Sequence, residues 1–158
     1  MSFDVYLRPL VLTDAKISYH WRNDSDIWKY TESRPDKGVT CEMERNWAQK
    51  VIEDPTRANF AICLKQNDKY IGNVYLTNIS DGKGELGIFI GDKSCWGHGY
   101  ARQAIELLKQ EACKLGVSEI EIGVNSENLP ALITYLRTGA RFSEADRWLS
   151  LTLRLNRE

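Results

Sequence analysis

Apolar and polar positions alternate, repeat every three or four residues, and alternate again along this chain, which predicts strands and helices in a definite order. Val5–Pro9 is a short strand, stopped by a proline that has no N–H to donate. Thr13 and Asp14 are placed to cap a helix running through Ile17 and Trp21 to about Asn23. A polar loop broken by Pro35 and Gly38 follows. Thr40 can cap a second helix whose stripe is Met43, Trp47 and Val51, limited by Pro55. Asn59–Leu64 and Tyr70–Leu76 flank a polar connection and form a hairpin, and Glu85–Ile90 adds a third strand after a turn at Asp81–Gly84.

The period then lengthens. Ala101, Ala104, Ile105, Leu108, Ala112 and Leu115 mark a long amphipathic helix with Gly116 past its end. Val117–Val124 is a strand, Asn128 and Pro130 open another helix, and Gly139 closes it. Ala140–Phe142 and Trp148–Leu155 read as a terminal strand pair. The order is β–α–α–β–β–β–α–β–α–β–β. The strand–helix–strand unit from Glu85 to Val124 must cross over, so those two strands are expected to be parallel and the rest mainly antiparallel. The predicted fold class is α+β: a mixed, mostly antiparallel sheet with helices on both faces, formed by residues 1–158 as a single domain.

Composition narrows the function. The 158 residues suit one domain, and such a chain buries roughly 70% of its unfolded surface without disulfides or a structural metal. The net charge is −1. The charges also balance within each third of the chain, so a protein built to bind nucleic-acid backbone is not expected. No apolar run approaches the ~20 residues of a membrane span. Asp4, Arg8 and Asp14 interrupt the stretch where a signal peptide needs its apolar core, so a cytoplasmic protein is expected. Four scattered cysteines and two histidines give no metal-ligand spacing, so no metal is expected.

The chemistry concentrates between the third hairpin strand and the long helix, in Gly91–Ala101 (Gly-Asp-Lys-Ser-Cys-Trp-Gly-His-Gly-Tyr-Ala). A loop that enters a helix presents N–H groups with no intrahelical partner, and the helix dipole favours an anion there. Gly97 and Gly99 let backbone approach a diphosphate, and His98 can add a donor. The dinucleotide fingerprint fails because position 102 is Arg102, and no Gly-Lys-Ser/Thr P-loop occurs.

Trp96-Gly97-His98-Gly99-Tyr100-Ala101 resembles the acyl-CoA loop of the GCN5-related N-acetyltransferase (GNAT) family, more closely its ribosomal-protein-alanine acetyltransferase-like branch. Trp96 stands where the family usually has Gln or Arg. Downstream, Asn125, Asn128, Ala131, Tyr135, Gly139 and Phe142 follow the family's spacing, with Ala140-Arg141 inserted before Phe142. The resemblance implies an acyl-CoA N-acyltransferase fold with acetyl-CoA as co-substrate. It also implies direct transfer of acetyl to a primary amine, and a homodimer is left open by the family's frequent edge-strand pairing. Backbone groups of Ile88, Phe89 and Ile90 would hold the pantetheine arm. The loop from Trp96 through Gly97, His98, Gly99, Tyr100 and Ala101 would hold the diphosphate, and Asn128 would meet pantetheine or simply cap its helix. Tyr135 would protonate the leaving thiolate, unless it is a core tyrosine packing on the sheet. Glu85, opening the third hairpin strand, is the candidate general base, with His20 second.

The acceptor would lie against residues 13–54. Trp21-Arg22-Asn23 resembles a stretch in members that acetylate nucleotide-linked amino sugars. Trp21, Arg22 and Trp28 are therefore candidate acceptor contacts, and Arg34 or Arg45 can equally meet a diphosphate. Packing of Trp21 and Trp47 into the core is the competing reading. Three functions remain: acetylation of an amino sugar nucleotide, acetylation of a protein N-terminus, or CoA binding without catalysis.

Overall fold

The computed structural model describes residues 2–30, 38–145 and 148–155. Pro35 and Arg34, singled out above, lie outside these residues. Seven strands form one sheet in the order β1-β2-β3-β4-β5-β7-β6. They are β1 Val5–Pro9, β2 Ala58–Leu64, β3 Tyr70–Ser80, β4 Lys83–Ile90, β5 Glu119–Asn125, β6 Arg141–Ala145 and β7 Trp148–Arg154. The helices are α1 Ala15–Arg22, α2 Cys41–Glu53, α3 Tyr100–Lys114 and α4 Leu129–Arg137. As expected, β4 and β5 are parallel across the α3 crossover, and every other pairing is antiparallel. The pattern is silent on one point: β7, last in the chain, inserts between β5 and β6.

Alternation along β2 separates two cores. Ile62 and Leu64 join α3 residues Ala104, Ile105, Leu108 and Ala112 on one face. Ala61 and Cys63 join Trp21, with Tyr70 and Phe89, on the other. The β3–β4 turn has two consecutive residues with positive φ, Asp81 and Gly82, the arrangement that suits the strand twist of a two-residue hairpin loop.

Four local expectations need correction. Asp14 does not cap α1. A 3-10 turn over Leu12–Asp14 precedes the helix, and the Asp14 carboxylate instead accepts from the Val11 N–H and both terminal nitrogens of Arg8. Ile17, one of the two apolar residues that marked this helix in the sequence, is exposed; the buried face of α1 is Ala15, Ser18 and Trp21. On α2 the stripe is shifted by one residue: Glu44, Ala48 and Val51 are buried, whereas Met43 is exposed. Hydrophobicity alone missed this because the buried face carries a glutamate. Its charge is matched by Arg22 Nε at 3.1 Å and its Oε1 accepts from Ser18 at 3.0 Å. Leu115 is also exposed, because α3 ends at Lys114.

The Glu44–Arg22 pair joins α2 to α1. The guanidinium also lies over Trp47, Trp28 and Phe89, at 4.3, 4.8 and 5.7 Å from the ring centroids. Removing one partner of a buried pair leaves a charge without compensation. Glu44→Ala is expected to lower unfolding free energy by about 3–5 kcal/mol, read by urea denaturation. A loss under about 1 kcal/mol, the size of an exposed pair, would show that the pair does not hold the two helices.

Candidate active site

The central feature of the sheet is a gap. β4 and β5 pair only at Lys83–Glu119, Gly84–Ile120 and Glu85–Glu121. Beyond Glu85 the strands diverge, while β4 stays in unbroken register with β3 to Ile90 and β5 with β7 to Asn125. Strand alternation decides which peptide groups face the opening. The Gly82 carbonyl accepts from Ser118 on the β5 side, and the Gly91 N–H donates to Ile71 on the β3 side. Leu86, Ile88 and Ile90 therefore turn their backbone groups into the gap, whereas Phe89 turns its own toward β3. Of the three residues expected to hold an extended arm, Ile88 and Ile90 face the gap. The Phe89 ring packs on the α1 side of the sheet, against Trp21 and Trp28.

The loop after β4 reaches α3 through a 3-10 turn over Lys93–Cys95. Its base is fixed by short polar contacts. Asp92 accepts from the Ser94 N–H and hydroxyl and pairs with Lys69, and these partners hold its carboxyl below the usual range. Lys93 pairs with Asp24 and Asp26, at 2.9 and 3.0 Å, from the segment after α1. Gly91 is required here for space, since a Cβ would lie 2.0 Å from the Trp21 ring.

Past Trp96 the loop is open. Gly97 and Gly99 have φ near +79° and +78°, and a Cβ on either would meet nothing within 4 Å. Gly99 is the N-cap and offers no side chain. The first backbone bond of α3 runs from Gln103 N–H to Gly99 O, so the N–H groups of Tyr100, Ala101 and Arg102 emerge from the helix end. His98 is exposed and stacks on Tyr100 at 5.3 Å. Cys95 is buried and its thiol pushed up by desolvation, which disfavours the nucleophilic thiolate.

Tyr135 lies on the buried face of α4, 8% exposed. Burial first, then the nearby Tyr75 phenol, push its pKa up to about 12. Tyr75 comes from β3 on the opposite face and lies across Gly87 of β4, where a Cβ would collide with its ring. Tyr75 thus sits beside Gly87, where the gap has opened, and its phenol adds to the upward shift of Tyr135. Tyr75 was missed in the sequence because an isolated strand tyrosine carries no motif. Asn128 caps α4, accepting from Ala131 N–H at 3.4 Å.

Glu85 is the last β4 residue in register with β5 and is exposed where the gap begins. Its Oε2 accepts from Asn78 Nδ2 at 3.0 Å and from the Thr77 hydroxyl. His20 is exposed on α1, against the Tyr19 ring. Trp21 and Trp28 are 8% and 6% exposed, and the Trp28 indole donates to the Trp21 carbonyl. Trp28 lies under the guanidinium of Arg22, whose side chain keeps 17% exposure. No group of three or more His, Cys, Asp or Glu able to hold a metal occurs among the described residues. No described helix is long and apolar enough to cross a membrane.

A mixed sheet opened between two parallel strands, beside a helix N-terminus without acceptors, is the acyl-CoA N-acyltransferase fold. Residues 4–141 match the family model described as an acetyltransferase (GNAT) domain. The chain belongs to the GNAT family and is an N-acetyltransferase. Among solved structures it is similar to spermidine N-acetyltransferase from Vibrio cholerae in complex with CoA and spermine, at TM-score 0.84 and 21% identity over 96% of this chain and 95% of that one. It is also similar to ribosomal-protein-S5-alanine acetyltransferase from Vibrio fischeri, at TM-score 0.83 and 17% identity over 98% and 94%. Mycobacterium smegmatis RimJ in complex with CoA-disulfide follows at TM-score 0.81 and 18% identity over 95% and 81%. No curated protein sequence matches the chain significantly.

Proposed function

We propose that the protein transfers acetyl from acetyl-CoA to the primary amine of a small anionic acceptor, an amino sugar linked to a nucleotide. The observation that carries the donor assignment is the gap beside the loop. Leu86 and Ile88 offer unpaired peptide groups to an extended amide chain. Gly97 and Gly99 leave room, and the α3 N-terminus supplies donors and a favourable dipole, for a diphosphate. The CoA complexes among the similar structures support the same donor. The four free cysteines fit the reducing cytoplasm.

In this reading the amine nitrogen attacks the thioester carbonyl carbon, a C–N bond forms and the C–S bond breaks. The amine proton passes to Glu85, directly or through water. The leaving sulfur takes the Tyr135 proton, which solvent restores. Tyr135 can supply this proton because its phenol is protonated throughout the neutral range, and the upward shift makes the transfer depend on its position at the sulfur rather than on acid strength. The acceptor side is assigned to Arg22. Its Nε holds Glu44, and its terminal nitrogens, framed by Trp28, Trp47 and Phe89, are left for a phosphate. Trp21 and Trp28 serve by fixing Arg22 rather than by stacking on the acceptor.

A thiol-release assay across nucleotide-linked amino sugars, peptides with an N-terminal alanine and polyamines tests the acceptor. Turnover is expected with the first group. Turnover confined to peptides or polyamines would replace it, and a cofactor-induced rise in Tm without any release would leave only CoA binding. For the base, Glu85→Gln is expected to move the rising limb of the pH–kcat/KM profile to higher pH. An unaltered profile would remove Glu85 from that role.

A further inference from the structure

Trp96 sits at a junction that burial does not explain. The residue is 46% exposed, yet its indole N–H donates to the Ile90 carbonyl at 2.8 Å, closing the loop back onto the strand it left. Ile90 is one of the three β4 residues whose peptide groups face the gap, so the indole occupies the last acceptor on that edge. Trp96 is also the last anchored residue before the glycines. On its N-terminal side Cys95 is buried, Asp92 and Lys93 are paired, and Gly91 lies against Trp21. On its C-terminal side Gly97, His98 and Gly99 are exposed, and the two glycines have positive φ with open space around them.

We infer that Trp96 is a positioning residue. Its indole clamps the loop to the end of β4, presetting the glycine turn for the diphosphate and reserving the Ile90 carbonyl. The pantetheine arm then finds its backbone acceptors at Leu86 and Ile88, and Ile90 offers it only an N–H. This rests on the donor assignment above and extends it by giving the indole a role that needs no contact with phosphate. A phenyl ring in its place keeps most of the apolar surface but donates nothing to Ile90. Each cofactor molecule must then order the loop as it binds. A donor that lacks the diphosphate does not use the loop and escapes this cost.

The test compares acetyl-CoA with acetyl-pantetheine as donors for the wild type and for Trp96→Phe. The variant is expected to raise KM for acetyl-CoA about five- to tenfold, the worth of one intramolecular hydrogen bond, with kcat changed less than twofold and KM for acetyl-pantetheine unmoved. An equal rise for both donors would mean that Trp96 only supports the strand, and would overturn the inference, as would no change for either. A second measurement follows the indole itself in protein carrying ¹⁵N-labelled tryptophan, with the Trp96 signal assigned by its loss in Trp96→Phe. As CoA saturates the amides of Gly97 and Gly99, the indole N–H is expected to stay protected from solvent exchange. If those amides shift while the indole becomes exchangeable, the clamp is refuted and the donor assignment stands. If no amide responds to CoA, the donor assignment falls and the inference with it.

Discussion

Replacing Tyr135 by Phe is expected to lower kcat by about 10²–10⁴-fold while acetyl-CoA binds as before, because general acid catalysis contributes on that scale. The change removes one oxygen from a ring that is 8% exposed on α4, so the packing of the helix against the core is retained. Calorimetric titration with CoA separates the two effects: affinity within a factor of two of wild type, with turnover nearly gone. The pH dependence gives a second check. A phenol with a pKa pushed up to about 12 remains an acid across the assay range, so Tyr135 adds no alkaline limb to kcat below about pH 11. The same shift links to stability. The folded state holds this proton more tightly than the unfolded chain, whose phenol titrates near 10. Its stabilising contribution is therefore complete below about pH 10 and disappears as pH rises toward 12. Full turnover by Tyr135→Phe would remove the residue from the chemistry.

Gly99→Val is expected to abolish measurable cofactor binding, a loss of at least a hundredfold. Two independent costs act together. The residue sits at φ +78°, a region where a β-branched side chain is strained. The new Cβ meets no protein atom, so its methyl groups project into the open space at the α3 N-terminus, where the donor assignment puts the diphosphate. The damage is therefore aimed at the ligand rather than at the core. Thermal unfolding without ligand is expected to change by a few degrees, while the CoA-dependent rise in Tm disappears. CoA affinity equal to that of wild type would place the diphosphate elsewhere.

Much of this architecture was legible because its determinants are local. Period-two runs gave the strands, Asn128 and Pro130 marked the start of α4, and Asp81-Gly82 supplied the turn that positive φ requires. The loop was legible because backbone function demands glycine, and glycine is visible in a sequence. The packing of α1 against α2 was not. Its organising contact joins Glu44 to Arg22 and Ser18, residues far apart in the chain. A buried glutamate inverts the rule that charged positions mark the solvent face. Trp28 was obscure for a related reason: its packing partners, Trp21 and Phe89, lie on an adjacent helix and a distant strand. The gap itself is written as an absence of pairing, which no residue pattern encodes.

That gap has a cost unrelated to catalysis. An unpaired strand edge is a template on which any extended chain can build, and sheets ordinarily confine such edges to their margins. Here one lies in the middle of the sheet, between β4 and β5, where only three residue pairs join the two halves. Its open stretch on β4 is short, running from Leu86 to Ile90, and the Trp96 indole closes off its last carbonyl. The hydrogen-bonding groups that suit such an edge to an extended amide chain suit it equally to an extended peptide.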